Sequence, residues 1–156
     1  MFKSAMRQMA GGISVIAAGI GDERTGLTVT SAVSLSMTPP TMIVSVNRAA
    51  SAWPVIQRRR HFCVNALASH QQLVADRFAG FGGVKGAARY AGASWSVLST
   101  GALALDDCIA SIDCEVEEFV ERHSHAIVIG AVRAVKVQGG KPLLYSQGRY
   151  GAFEAN

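Results

Sequence analysis

Apolar and polar residues alternate along most of this chain with the period of two that is typical of β-strands. The clearest alternation covers residues 27–34, and it follows an apolar run at residues 13–18 that predicts a buried strand. The other predicted strands lie at residues 42–46, 62–67, 108–117, 125–137 and 143–145. Seven or so strands without a repeat or a long linker predict one closed β-barrel with helical decoration.

Helical spacing is confined to short segments between these strands. Apolar residues recur at intervals of four and three within residues 2–9, which predicts a short helix. Ser51 marks the start of a second helix, and Ser69 with Gln72 has the capping-box spacing for a third. Residues 81–93 are rich in glycine and show no period, so they predict a surface loop that could act as a mobile lid.

Composition adds information about assembly and location. Hydrophobic residues make up 49% of the 156 residues and charged residues only 17%, against a usual charged share of about 25%. We therefore expect a single folded domain over residues 1–156, with part of its surface covered by a partner subunit. Three cysteines without a Cys-x-x-Cys pair do not form a disulfide framework, which favours a reducing, cytoplasmic location.

Two classes of partner are excluded on the same grounds. Residues 25–47 carry no charge, but the pair Pro39-Pro40 would break a membrane helix and nine Ser or Thr residues are interspersed. The formal net charge is +4, yet Arg58-Arg59-Arg60 is the one basic run, and it lacks the interleaved aromatic residues of a single-strand binder. We therefore expect neither a membrane nor a nucleic-acid partner.

One candidate ligand site remains once the familiar nucleotide motifs are ruled out. The chain has no Gly-x-Gly-x-x-Gly opening a helix, no Walker loop and no Gly-x-Ser-x-Gly elbow. It does have a hydroxyl-rich strand, Thr28-Val29-Thr30-Ser31, and Ser51 at a helix start, where free N–H groups favour an anion such as phosphate; Arg48 lies three residues earlier. The alternative is that Ser51 only caps its helix and that the hydroxyls only form a half-exposed strand surface.

A metal site is the second chemical alternative. His123 and His125 are two residues apart, so on a strand they would face the same way together with Glu121. Imidazole and carboxylate groups suit zinc or iron, although the spacing shows no further ligand. The simpler interpretation of His123 is a surface histidine.

The order of the segments resembles the short-chain flavin reductase family, the reductase components of two-component flavin-dependent monooxygenases. The shared segments, which cover essentially the whole chain, are residues 26–36, Pro39-Pro40, residues 42–47, Ser51-Ala52-Trp53-Pro54, and residues 62–68, 76–80, 125–130 and 143–145. Residues 47–54 are especially similar to the reductases that serve pyrimidine-ring and 4-hydroxyphenylacetate oxygenases.

The resemblance implies a mainly β fold, a Greek-key split β-barrel of the FMN-binding type with two or three short helices, assembled as a homodimer. It implies an NAD(P)H-dependent flavin reductase that transfers a hydride from NADH or NADPH to FMN or FAD. The reduced flavin would then be supplied to a partner monooxygenase. The alternative is a flavin- or haem-binding split barrel without reductase turnover.

The resemblance also assigns roles to individual residues. The flavin ring, ribityl chain and phosphate would contact Thr28, Val29, Thr30, Ser31, Ser45, Val46, Asn47, Ser51, Ala52, Trp53, Asn65, Ala66, Leu67 and Tyr150. Ser51, Ala52 and Trp53 would close on the phosphate, and Tyr150 would lie near the flavin or the dimer seam. His125 would lie near the nicotinamide as the catalytic residue, with Ser124 in place of the Asp that precedes this histidine in the family.

Overall fold

The computed structural model describes residues 1–156, which form mainly antiparallel strands. The helices are α1 (Phe2–Met6), α2 (Ala52–Arg59) and α3 (Gln72–Phe78), with 3-10 turns at Gly21–Glu23, Phe81–Gly83 and Gly86–Tyr90. The strands are β1 (Gly11–Gly12), β2 (Ser14–Ala18), β3 (Thr25–Val29), β4 (Val33–Met37), β5 (Pro40–Asn47), β6 (His61–Ala66), β7 (Trp95–Val97), β8 (Leu103–Leu105), β9 (Ala110–Arg122), β10 (His125–Val137), β11 (Leu143–Ser146) and β12 (Arg149–Ala152). None of the helices has the length and apolar character that crossing a membrane would require.

Seven strands form one antiparallel sheet in the order β3-β2-β6-β9-β10-β5-β4. Its two edge strands, β3 and β4, are consecutive in the chain and are separated only by residues 30–32, so the sheet curls until its edges meet at one end. β3 and β4 do not pair with each other, and the barrel is open along this seam. The fold is therefore a split barrel, as the resemblance implied, and the closed barrel predicted from the strand pattern is wrong.

The seam also explains a strand that the alternation predicted incorrectly. Residues 27–34 predicted one continuous strand, but β3 ends at Val29 and β4 begins at Val33 because the chain crosses from one edge of the sheet to the other. The strand predicted at residues 125–137, in contrast, coincides with β10.

The larger hydrophobic core fills the inside of the curled sheet. Buried side chains from β2, β5, β6, β9 and β10 meet there, together with four side chains of α2. Trp53 of α2 packs edge-to-face on Phe119, with ring centroids 5.3 Å apart. Gly130 allows β10 to approach β6, because a Cβ at this position would lie 2.6 Å from the ring of Phe62.

A second core covers the outer face of β2 and β6. The α3 helix, the β7–β8 hairpin and Tyr90 pack there against side chains such as Val15 and Cys63. Because β2 is buried on both faces, residues 13–18 carry a continuous apolar run instead of an alternation.

Asp113 shows where the predicted polar face of β9 does not hold. The alternation places it on the solvent side, yet it is fully buried. Its carboxylate accepts hydrogen bonds from the N–H groups of Ser99 and Thr100, at 2.9 and 2.7 Å, and from the Thr100 hydroxyl at 2.6 Å. These three bonds stabilise the buried carboxylate and attach the loop after β7 to the sheet. β9 itself begins at Ala110, so Cys108 lies outside the strand that was predicted to contain it.

Neither predicted helix cap is formed. Ser51 precedes α2, but its backbone is already helical, with φ −61° and ψ −22°, and its side chain makes no capping bond. The α3 helix begins at Gln72, and the Gln71 side chain instead accepts a hydrogen bond of 2.9 Å from the N–H of Ala68. The capping box predicted from Ser69 is therefore wrong.

Residues 81–93 are attached to the barrel by arginine and tyrosine side chains. Arg77 of α3 donates to two carbonyls of this segment. Arg89 donates to the Gly26 carbonyl at 2.8 Å, and the Tyr90 hydroxyl donates to the carbonyl of the residue before Gly26 at 2.6 Å. The segment thus forms a wall beside β3.

Candidate functional site

A groove lies along the seam of the split barrel, where β3 ends. Its volume is about 270 Å³. The lining residues are Leu27, Thr28, Val29, Thr30, Ser31, Ser45, Asn47 and His125. Seven of the fifteen residues predicted for the site therefore come together in one place, from β3, β5, β10 and the link between β3 and β4.

Strand pairing brings these residues together. In the β5–β10 register, Asn47 lies directly opposite His125 and Ser45 opposite Ile127. The Ser31 hydroxyl donates a hydrogen bond of 2.8 Å to the Ser45 carbonyl, which attaches the link between the two edge strands to β5. The groove is thus formed by residues that are distant in sequence, fixed by the β5–β10 pairing on one side and by the Ser31 side chain across the seam.

The groove presents uncharged hydrogen-bonding groups that have no partner within the protein. Neither the Thr30 nor the Ser45 hydroxyl is engaged, whereas the Thr28 hydroxyl donates to the Ala75 carbonyl at 2.6 Å. The Asn47 side-chain oxygen accepts from the Ala49 N–H at 2.9 Å, which leaves its NH₂ group available. β3 pairs on one side only, so part of its backbone N–H and C=O groups also face the seam.

His125 is exposed at the rim of the groove, at the start of β10. Its Nδ1 lies 2.8 Å from the Ser124 hydroxyl, and its Nε2 makes no bond within the protein. The neighbour of the imidazole on this side is thus an uncharged hydroxyl.

The geometry required for the metal alternative is absent. A hairpin turn separates β9 from β10, and His123 lies in this turn with a positive φ of 54°, so it does not share a strand face with His125. Glu121 pairs with Arg48 at 3.2 Å. No three His, Cys, Asp or Glu side chains are arranged to hold a metal ion.

The structure places the other predicted site residues outside the groove. Four of them have side chains in the two cores, namely Val46, Ala52, Trp53 and Leu67. Asn65 is fully buried, and its amide bonds to the Leu103 carbonyl at 3.2 Å and the Leu105 N–H at 2.8 Å, which attaches β8 to β6. Ala66 is half-buried on β6. The buried side chains are unavailable to a ligand, so these residues could reach one only through their backbone.

Ser51 lies near the opposite end of β3 from the groove. Its hydroxyl is 3.3 Å from that of Thr25, the first residue of β3. Arg48, which the sequence placed near Ser51 as a candidate anion ligand, turns instead to Glu121 and donates to the His123 carbonyl at 3.0 Å.

Tyr150, which the resemblance placed near the flavin or the dimer seam, does not line the groove. The Tyr150 hydroxyl donates to Asp76 at 2.5 Å, and burial followed by this bond raises the pKa of the phenol. Tyr145 instead lines two grooves that adjoin Thr30. Sequence reasoning assigned no role to Tyr145, because residues 143–145 predict only a strand.

The cysteines offer no nucleophile. Burial, reinforced by the nearby Asp113, raises the pKa of Cys114 to about 12, and burial also raises the pKa of Cys63 and of Cys108. All three therefore stay as thiols at neutral pH.

Comparisons with known proteins identify the family of this chain. The family model described as flavin reductase like domain matches residues 6–154. The chain is 37% identical over 151 residues to a protein of Methylorubrum extorquens named FMN reductase (NADH) RutF 2, covering 96% of this chain and 86% of that one.

Solved structures show the same fold. A flavin reductase domain protein from Arthrobacter sp. FB24 superposes with a TM-score of 0.88 at 29% identity, covering 99% of this chain and 95% of that one. Nitrilotriacetate monooxygenase component B from Mycobacterium thermoresistibile superposes with a TM-score of 0.88 at 28% identity, covering 98% and 85%. Because the family model matches nearly the whole length of this chain, the chain belongs to the flavin reductase like domain family.

Proposed function

We propose that this protein is an NADH-dependent FMN reductase, a single domain over residues 1–156 that passes a hydride from the nicotinamide to the flavin. The observation that carries this function is the groove at the barrel seam, whose free groups are uncharged donors and acceptors on Thr30, Ser45, Asn47 and His125. The name of the relative from Methylorubrum extorquens supports the choice of NADH and FMN. NADH consumption that depends on added FMN tests it.

The donor set of the groove fits a flavin. An isoalloxazine ring carries neutral carbonyl and ring nitrogen atoms along one edge, and a ribityl chain carries hydroxyl groups. Hydroxyl and amide side chains such as Thr30 and Asn47, together with the free backbone groups of β3, match this chemistry without a buried charge. No acidic side chain lines the groove to repel an electron-rich reduced ring.

Bound flavin would supply the redox chemistry, and the protein would supply binding and orientation. The Thr28–Ser31 segment would hold the ring at the end of β3, since pairing with β2 fixes Thr28 and Val29 and the bond from the Ser31 hydroxyl to the Ser45 carbonyl fixes Ser31. His125 at the rim would contact the nicotinamide through its free Nε2 and so help to orient it. Hydride transfer in general requires the two reacting atoms to be about 3–3.5 Å apart. Hydride transfer needs no proton from His125, so its role there is contact and orientation.

The flavin phosphate would lie at the start of α2. The Ser51 hydroxyl makes no capping bond, and its one partner is the Thr25 hydroxyl at 3.3 Å, so it could also bind an anion beside the positive end of the helix. Ala52 is buried and would contribute its backbone N–H. The backbone N–H of Trp53 already donates to the Ala50 carbonyl at 3.0 Å, so Trp53 would support this site only by packing.

A homodimer would complete the site. The outer face of β4, β5 and β10 carries exposed apolar side chains, among them Leu35 at 55% and Ile127 at 41% of full exposure. Ile127 pairs with Ser45, so this apolar face is continuous with the groove. Covering it with a second copy would bury apolar area and shield the flavin ring from water.

The acceptor of reduced flavin would be a monooxygenase. The structural relative from Mycobacterium thermoresistibile is a monooxygenase component, which supports a two-component system. The three cysteines without disulfides support a cytoplasmic location for both components.

A further inference from the structure

Two cations on the N-terminal helical turn, Lys3 and Arg7, border the groove at the seam. They are four residues apart, and the Arg7 N–H bonds to the Lys3 carbonyl at 3.1 Å, so their side chains lie on the same side of the turn. Both line a cleft of about 430 Å³ that also contains Thr30, Ser31 and Tyr145. Thr30 and Ser31 belong to the groove as well, so the cleft and the groove are continuous.

Neither cation has a partner within the protein. Arg48, Arg58, Arg59, Arg133 and Lys136 all form ion pairs with carboxylates, whereas Lys3 and Arg7 form none. No acidic residue lines the cleft, nor the adjoining cavity of about 570 Å³, which Lys3 and Arg7 also border. The two charges therefore produce a positive potential that nothing in the chain neutralises.

The turn that carries these cations is held in place although none of its side chains is buried. The Gln147 N–H donates to the Arg7 carbonyl at 2.8 Å, and the Gln147 side chain donates to Gln8 at 3.1 Å. The Arg7 guanidinium packs over the β11–β12 turn, where a Cβ on Gly148 would lie 2.7 Å from it. Arg7 is thus fixed beside the cleft by contacts with the turn.

We propose that Lys3 and Arg7 form an anion subsite that binds a phosphate group of a nucleotide whose ring system occupies the adjoining groove. This rests on the proposed flavin reductase function. The diphosphate of NADH and the phosphate of FMN share this chemistry. The cleft provides two cations, the unengaged Thr30 hydroxyl and the Tyr145 ring, which is what a ribose phosphate next to a planar ring requires.

The test compares substrates with and without phosphate in the double variant Lys3→Gln/Arg7→Gln. For the wild type and the variant, KM is measured for NADH and for 1-benzyl-1,4-dihydronicotinamide, and Kd for FMN and for riboflavin. Lys85→Gln is the matched control, because Lys85 is exposed, unpaired and outside both cavities. Circular dichroism verifies that the variant is folded.

We expect the NADH KM of the double variant to rise by about tenfold or more, with the benzyl analogue unaffected and a weaker dependence on salt. If FMN affinity falls instead while riboflavin affinity does not, the subsite binds the flavin phosphate. The subsite would be overturned if the KM and Kd values did not change, or if the ligands with and without phosphate were weakened equally. Wild-type turnover with the benzyl analogue would show that the reductase function stands independently of that outcome.

Discussion

The Tyr150 hydroxyl donates a hydrogen bond of 2.5 Å to Asp76, and this bond directs it away from the groove at the barrel seam. The centroid of the Tyr145 ring lies 5.8 Å from that of Tyr150, and Tyr145 lines the grooves next to Thr30. The hairpin at the end of the chain therefore contributes one tyrosine to stability and the other to the candidate site.

Matched substitutions separate these two roles. Tyr145→Ala should weaken FMN binding by roughly three- to tenfold through lost ring contact, with little change in unfolding. Tyr150→Phe should leave FMN affinity unchanged and lower the free energy of unfolding by about 1 kcal/mol, because Asp76 loses a donor. Fluorescence titration measures FMN affinity, and urea unfolding measures stability. A loss of FMN affinity in Tyr150→Phe but not in Tyr145→Ala would show that Tyr150 contacts the flavin.

The Tyr150 pair also predicts a dependence on pH. A phenol whose pKa is raised in the folded state, from a reference value of 10.0, contributes its stability fully below pH 10 and loses it as the pH rises through the raised pKa. Melting temperatures should therefore fall less steeply for Tyr150→Phe than for the wild type between about pH 10 and pH 12, and the two curves should run parallel below pH 10. Identical slopes would contradict a raised pKa.

Ser51→Ala tests the flavin phosphate position. Because the hydroxyl forms no capping bond, stability should change little, while FMN affinity falls by about tenfold and riboflavin affinity is retained. If FMN and riboflavin lost affinity equally, or if FMN affinity were unchanged, the phosphate would not lie at the start of α2.

His125→Ala tests the nicotinamide position. We expect the NADH KM to rise or kcat to fall by roughly ten- to a hundredfold, the range for lost positioning, with nearly unchanged FMN affinity. His123→Asn is the control, since Asn tolerates the positive φ of the turn, and it should have a much smaller effect. Equal effects of both substitutions would mean that the hairpin acts as a whole.

Leu35→Glu tests the homodimer. A charge on the apolar face of β4 should convert the dimer into a monomer in sedimentation experiments and weaken FMN binding at the same time. Val97→Glu is the control, because Val97 on β7 has a similar exposure, 54% against 55% for Leu35, but lies in a different sheet. A wild-type monomer at micromolar concentration would contradict the dimer.

The sequence predicted those parts of the fold in which one strand has one buried face. The period of two over residues 125–137 coincides with β10 because alternate side chains of this strand point into the core. The break between β3 and β4 was missed, since residues 30–32 continue the alternation while the chain crosses the seam. Asp113 was misplaced because the loop between β7 and β8 covers it, a contact that the alternation within β9 does not reveal.

The candidate site was predicted for the strand segments and less well for the residues between them. Strand register fixes Ser45 and His125 relative to each other on β5 and β10, and the curl of the sheet brings Thr28 of β3 next to them across the seam. The resemblance assigned Asn65 to the flavin, but its side-chain amide bonds to two backbone groups of β8. Lys3 and Arg7 carried no sequence signal of their own, because only the tertiary fold brings the N-terminal turn to the cleft.

The most direct measurement is the oxidation of NADH by the purified protein, followed at 340 nm with FMN, FAD and riboflavin supplied in turn. If the protein is a flavin reductase, NADH is consumed only when flavin is present, and fastest with FMN. In the absence of oxygen, the reduced flavin accumulates and its absorbance is bleached. FMN that binds to the protein while NADH remains unoxidised would contradict the reductase function and leave a flavin-binding split barrel without turnover.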